Sequence, residues 1–104
     1  MTWLVLTSVP QVIARLKGEV WEAIPGRIVV GVSGVGYLVH LPLSTYDQLN
    51  PLEGDSIDLR TYQHVRENSL TLYGFARDEE KDVFMLLIDR VSGIGPATAL
   101  AVLG

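Results

Sequence analysis

The stretch Val91-Ser92-Gly93-Ile94-Gly95-Pro96-Ala97-Thr98-Ala99-Leu100 predicts two helices joined by a tight turn. Gly93 and Gly95 permit backbone angles that other residues avoid, and Pro96 suits the first position of a new helix. Exposed amides from Gly93 to Gly95, at the start of that helix, would suit a phosphate oxygen. The same residues also fit a plain αα-corner that ends on a glycine, so both interpretations stay open.

The segment before this turn predicts the first of the two helices, over residues 78–91. Phe84, Leu87, Ile88 and Val91 follow one another at helical spacing and give the helix one apolar face. Asp78 is expected to cap its first turn.

Upstream of residue 76 the pattern is typical of strands, since apolar and polar residues alternate. Residues 12–21 predict a first strand with Val12, Ala14, Leu16, Gly18 and Val20 on the inner face and a bend at Gly18. Further strands are predicted at 28–32, 35–41, 56–66 and 69–75, with Ile57, Leu59 and Val65 on one face of the fourth. A short helix over 44–49, capped by Ser44, separates the third strand from the fourth. This order is that of a five-stranded OB-fold barrel.

The predicted organisation is therefore mainly β plus α, in three parts. Residues 1–11 show no period and form an atypical N-terminal extension, 12–76 form the OB-fold domain, and 77–104 begin a truncated helix-hairpin-helix domain.

Composition narrows the function classes. The chain has 104 residues, of which 48% are apolar, and it contains no cysteine, which fits a reducing cytoplasm. Twelve acidic against eight basic residues give a net charge of −4, so any nucleic-acid binding must come from a local face. No membrane segment is expected, because the early apolar run is far too short.

Candidate chemistry is thin apart from two surface features. Arg15, Lys17, Arg60 and Arg66 would form a modest basic face on the first and fourth strands, although ordinary solvated strand faces explain them about as well. Glu67 and Asn68 are left for the turn between the fourth and fifth strands, where an acid would repel phosphates and select DNA geometry. An acidic turn residue is also common without any such role.

No catalytic set or cofactor site is predicted. Ser33-Gly34-Val35-Gly36 is better explained as a strand-joining turn than as a phosphate loop, because no helix follows it. His40 and His64 are predicted to be surface histidines.

Six ordered motifs resemble the RuvA family of bacterial Holliday-junction recognition subunits. They are Ile13-Ala14-Arg15-Leu16-Lys17-Gly18, Gly34-Val35-Gly36-Tyr37, Pro42-Leu43-Ser44-Thr45, Val65-Arg66-Glu67, Leu72-Tyr73-Gly74-Phe75 and Gly93-Ile94-Gly95-Pro96. The resemblance implies a non-catalytic DNA-binding subunit that forms a homotetramer on four-way junction DNA. It also implies a partner, the hexameric RuvB-type ATPase, engaged through a domain that this chain lacks.

By position, the resemblance assigns roles to individual residues. Gly93, Ile94 and Gly95 match the family's first phosphate-binding hairpin, Glu67 matches the first acid of its acidic pin, and Arg66 matches the basic residue before that acid.

The chain also departs from the family's pattern. Asn68 stands where the pin usually has a second acid, and Ala97 stands where a lysine usually follows the hairpin. The family normally begins with Met-Ile where this chain has Val12-Ile13, which suggests a start assigned too far upstream. Because the sequence stops at Gly104, the second hairpin and the motor-binding domain are expected to be absent.

Three functions remain open at the level of sequence. The first is junction binding; the second is an assembly fragment that oligomerises through Val83, Met85 and the 99–103 run with little DNA affinity. The third is a general single-strand binder that stacks bases on Trp21, Tyr62 and Tyr73.

Overall fold

The computed structural model describes residues 12–104, so the predicted extension at residues 1–11 lies outside it. The strands are β1 (Arg15–Ile24), β2 (Arg27–Val32), β3 (Val35–His40), β4 (Ser56–Arg66) and β5 (Ser69–Phe75). The helices are α1 (Leu43–Leu49), α2 (Asp78–Arg90) and α3 (Pro96–Leu103). In this part of the chain no helix has both the length and the apolar character needed to cross a membrane.

The five strands close into a barrel in the order β1-β2-β3-β5-β4. β3 and β5 pair in parallel, and every other pair is antiparallel. Closure satisfies the strand edges that an open sheet would expose. The closed barrel with three helices confirms the predicted OB-fold class.

Alternation along the strands fills the barrel. The side chains that point inward, as predicted, include Leu16 and Val20 of β1, Ile28 and Val30 of β2, and Ile57 and Leu59 of β4. The buried core consists of Leu16, Val20, Ile28, Val30, Val39, Leu41, Ile57, Leu59 and Leu72. Gly18 lies between two of these positions, where a Cβ would overlap the Gly31 carbonyl oxygen. Only glycine lets β1 and β2 approach this closely there.

The start of the first strand was predicted in the wrong register. β1 begins at Arg15, and before it Val12 is 80% exposed and Ala14 is exposed, whereas Ile13 packs against the core. The cause is a set of side-chain bonds from β4. The Ile13 N–H donates to Gln63 Oε1 at 3.1 Å, and Thr61 Oγ1 donates to the Ile13 carbonyl at 2.6 Å.

Val65 lies on the predicted face of β4, together with Ile57 and Leu59, but it is not buried. Val65 is 44% exposed, and the buried positions after Leu59 are Thr61 and Gln63. Side chains alternate strictly along the strand, so Val65 continues the row 57, 59, 61 and 63. It is exposed because it lies beyond the barrel core. The strand extends past its buried partners into the turn at Glu67.

Two predicted helix caps are wrong. The residue that caps α1 is Pro42, and the Ser44 hydroxyl lies within α1 and donates to the Leu103 carbonyl at 3.4 Å. Asp78 is the first residue of α2, whose cap is Arg77. Glu80 instead binds the backbone N–H groups of the two residues that precede α2.

Glu80 joins three segments at the start of α2. Its Oε1 accepts from the N–H groups of Ala76 at 3.1 Å and Arg77 at 3.0 Å, and its Oε2 accepts from the buried Thr45 hydroxyl of α1 at 2.8 Å. An acid is also favourable at a helix N-terminus. Glu80 therefore fixes where α2 leaves the barrel.

A second, aromatic core holds α2 and α3 against the outside of the barrel. Phe84 of α2 is fully buried, with its ring centroid 4.9 Å from that of Phe75, 5.3 Å from Tyr62 and 5.6 Å from Tyr73. Ala99 of α3 is buried in the same cluster. The helices are thus packed on β4 and β5, which brings the turn between them beside β4.

Candidate nucleic-acid interface

The turn between α2 and α3 has the backbone geometry that its glycines allow. Gly93 has a φ of +83°, a conformation that costs an L residue strain. Gly95 caps α3 with an extended backbone, and Pro96 occupies the first helical turn. Gly93 and Gly95 are exposed, so their amides can be reached from solvent.

Ile94 differs from its two neighbours. Its N–H donates to the Val91 carbonyl at 3.3 Å and closes the turn, and its side chain is half-buried against the aromatic core. Of the three predicted phosphate-binding amides, that of Ile94 therefore supports the turn, and those of Gly93 and Gly95 are the ones left for a ligand.

An open groove lies between this turn and the outer face of β4. Residues from β4, α2 and the turn line it: Tyr62, His64, Arg66, Ile88, Asp89, Ile94, Gly95 and Pro96. Arg66 and Gly95, two predicted site residues that are 29 positions apart in sequence, both line this groove. A guanidinium and a helix N-terminus are both groups that bind phosphate.

The charge of the groove is mixed. Asp89 contributes one carboxylate, and the pKa of the Tyr62 hydroxyl is raised, first by burial and then by the Asp89 charge. The pKa of His64 is lowered, first by burial and then by the nearby Arg66 charge. At neutral pH the groove therefore presents the Arg66 cation beside a neutral imidazole.

Glu67 and Asn68 form the two-residue turn that was predicted, because Arg66 pairs with Ser69 in the β4–β5 ladder. Both turn residues are exposed. One carboxylate thus lies directly beyond Arg66, at the tip of the hairpin.

The remaining basic residues do not join this groove. Arg15 and Arg60 are register partners on β1 and β4, as the predicted basic face requires. Arg66 lies six residues further along β4, about 20 Å away at the rise of a strand. The structure therefore separates Arg15 and Lys17 from Arg66 and the helical turn.

At the end of the sheet that carries Arg15 and Lys17, acidic residues lie next to the basic ones. Arg15 binds Asp58 through two hydrogen bonds of 2.6 and 2.8 Å, which raises the pKa of Arg15 and lowers that of Asp58. Arg60 Nε lies 3.0 Å from Asp78, and Lys17 is opposite Asp58 in the ladder. This end of the sheet has little net positive charge to offer a phosphate.

Ala97, the position of the family's usual lysine, is exposed but lies outside the groove. It lines a separate cleft beside α1, together with Pro42 and Leu43.

The aromatic residues needed for single-strand stacking are scattered. Tyr73 is buried, Tyr62 packs on Phe84, and Trp21 lies on the far side of the barrel over Gly31 and Gly36. These three residues do not form one surface for base stacking, which disfavours the hypothesis of a general single-strand binder.

Sequence reasoning did not place four residues of the groove there. Tyr62 was considered only for base stacking, Ile88 only for the apolar face of α2 and His64 only as a surface histidine, and Asp89 carried no recognisable motif. Residues 62, 64 and 66 lie on one side of β4 because side chains alternate along a strand, and the buried residues 61 and 63 point to the other side. The placement of α2 across that side could not be deduced from local sequence.

Together, the closed barrel and the helical hairpin packed on it define an OB-fold domain followed by a helical part. A family model described as the RuvA N terminal domain matches residues 13–74, more than half of the chain. The chain belongs to the RuvA family.

Curated relatives agree with this membership. The chain is 50% identical over 91 residues to the Holliday junction branch migration complex subunit RuvA of Symbiobacterium thermophilum, and 48% identical over 91 residues to that of Syntrophotalea carbinolica. Each match covers 88% of this chain but only 43% and 45% of the relatives, respectively. The chain thus spans less than half the length of the curated relatives it matches.

Proposed function

We propose that this chain is the N-terminal portion of a Holliday-junction-binding subunit. Family membership supports the proposal, and the observation that carries it is the groove that Arg66 and the exposed Gly95 both line. In the complete protein this part would act within a homotetramer that loads a RuvB-type hexameric ATPase for branch migration in recombination and repair.

The proposed division of labour is electrostatic. Arg66 and the amides of Gly93 and Gly95 would hold the phosphates of a DNA arm, and these contacts position the duplex without reading its sequence. Glu67 at the hairpin tip would keep phosphates away from the crossover, with Asn68 supplying no second charge. Arg15 and Lys17 would be secondary contacts, because Asp58 already pairs with Arg15 and both residues lie far from the groove.

The chain itself would be non-catalytic. ATP hydrolysis would belong to the RuvB-type partner, and no cofactor is part of the proposal. An intracellular, cytoplasmic location follows from the proposed substrate, which is bacterial chromosomal DNA.

The experiment that tests this function is competition in a gel shift. A labelled four-way junction bound by the chain is challenged with unlabelled junction or with linear duplex of the same total base pairs. We expect the junction to compete at roughly tenfold lower concentration, a preference of about 1.4 kcal/mol. Equal competition by linear duplex would contradict the proposal, and the comparison is made at one fixed salt concentration because affinity falls steeply with salt.

A specific observation favours one alternative, the assembly fragment. Val83 and Leu86 of α2 and Val102 of α3 are 46%, 50% and 61% exposed. Four residues predicted for this apolar surface belong to the aromatic core instead, since Ala99 is buried in it and Met85, Leu100 and Leu103 pack against it. A stable oligomer by light scattering, with the same affinity for junction and duplex, would favour assembly over junction recognition.

A further inference from the structure

His64 and Arg66 are joined within the groove. They are two residues apart on β4, so their side chains leave the strand on the same side. The Nε–H of Arg66 donates to Nε2 of His64 at 3.0 Å. Because His64 is half-buried and Arg66 is exposed, the imidazole is the more fixed of the two groups.

This bond requires one form of the histidine. Nε2 can accept only if it carries no proton, so the neutral ring must be protonated at Nδ1. Burial and the Arg66 charge both lower the pKa of His64, which favours the neutral ring at pH 7. The guanidinium uses one of its five N–H donors on His64 and keeps its two terminal NH2 groups for other acceptors.

We propose that His64 is a positioning residue for phosphate binding, because it holds the Arg66 guanidinium in the groove that Gly95 also lines. This inference rests on the proposed function of the groove. A long arginine side chain is costly to immobilise on binding, and a group that fixes it beforehand lowers that cost.

The first test needs no DNA. Long-range proton–nitrogen correlation spectra of the free protein at pH 7.5 report which ring nitrogen carries the proton. We expect Nε2 of His64 to be unprotonated in the wild type, and Arg66→Ala to change this pattern while leaving His40 unaffected. His40 is a fair internal control because its ring lies against Tyr73, 5.8 Å away between centroids. A wild-type His64 protonated at Nε2 would overturn the inference.

The second test is a double-mutant cycle on junction affinity. His64→Ala is expected to weaken binding about two- to tenfold in the wild-type background and to have no effect in the Arg66→Ala background. His64→Gln is expected to restore part of the loss, since its amide oxygen can accept from the Arg66 Nε–H. Equal losses from His64→Ala in both backgrounds would overturn the inference.

The two tests separate this inference from the proposed function. If the wild type binds junction and duplex equally, the proposed function fails, and the ring spectra still decide whether His64 fixes Arg66. If junction preference holds and the cycle shows no coupling, only the role of His64 fails.

Discussion

Replacing Phe84 with alanine is expected to lower the free energy of unfolding by about 3–5 kcal/mol. Phe84 is fully buried and its ring contacts three other aromatic rings, on β4 and β5. Removal of the ring would leave a cavity between the barrel and α2. The expected decrease in free energy is a large part of the roughly 5–15 kcal/mol that stabilises a domain. Urea denaturation followed by circular dichroism measures it.

Two matched changes on the same helix serve as controls. Phe84→Leu keeps most of the volume and is expected to cost less than about 1.5 kcal/mol. Val83→Ala, at a position that is 46% exposed, is expected to stay within about 0.5 kcal/mol of the wild type. If Phe84→Ala proves no more destabilising than Val83→Ala, then α2 is not held to the barrel by the aromatic core.

Replacing Arg66 with alanine is expected to weaken junction binding about 10- to 100-fold, the value of a charge-assisted hydrogen bond of about 1.5–3 kcal/mol. The slope of log affinity against log salt should also fall by about one, because one phosphate contact is lost. Fluorescence anisotropy with a labelled junction at several salt concentrations measures both quantities. The exposed position of Arg66 means that the fold should be unaffected.

Arg15→Ala is the matched control for Arg66→Ala. Its guanidinium is also exposed, but it is bound to Asp58 and lies at the other end of the sheet. We expect Arg15→Ala to change the affinity for the junction by no more than about twofold, because the free energy of an exposed ion pair is small. A loss at Arg15 as large as that at Arg66 would place the DNA on β1 instead of the groove.

Much of the fold could be predicted from sequence because its signals are local. The alternation of apolar residues predicts β2 to β5, the two residues Glu67 and Asn68 predict a tight turn, and Gly93 with Pro96 predicts the end of one helix and the start of another. Each of these depends on neighbours within a few positions, where pattern and backbone preference agree.

The errors arose where distant side chains decide the outcome. Ile13 lies inside because Gln63 and Thr61 bind its backbone, and those residues are about 50 positions away. Asp78 does not cap α2, because its carboxylate accepts from Arg60, and Glu80 binds both the Arg77 N–H and the distant Thr45 hydroxyl. Spacing rules carry no information about such partners.

The candidate site was predicted in its parts and not as a whole. Arg66, Gly93 and Gly95 were chosen from separate motifs, and Arg15 and Lys17 were added because their strand neighbours β4. Only the packing of Phe84 on β4 and β5 brings Arg66 to the helical turn, and only the Asp58 ion pair shows that Arg15 is already engaged. The sequence predicted which groups can bind phosphate, whereas the tertiary contacts determine which of them act together.

The groove between β4 and the helical turn can be tested directly by nuclear magnetic resonance. Amide spectra of the labelled chain are recorded while a short-armed four-way junction is added, and a linear duplex serves as the comparison. We predict that the largest shifts occur at Gly93, Gly95 and Arg66, and that the junction produces them at lower concentration than the duplex does. Shifts confined to the Arg15 and Lys17 end of the sheet, with the helical turn unchanged, would contradict the assignment of the groove as the DNA-binding face.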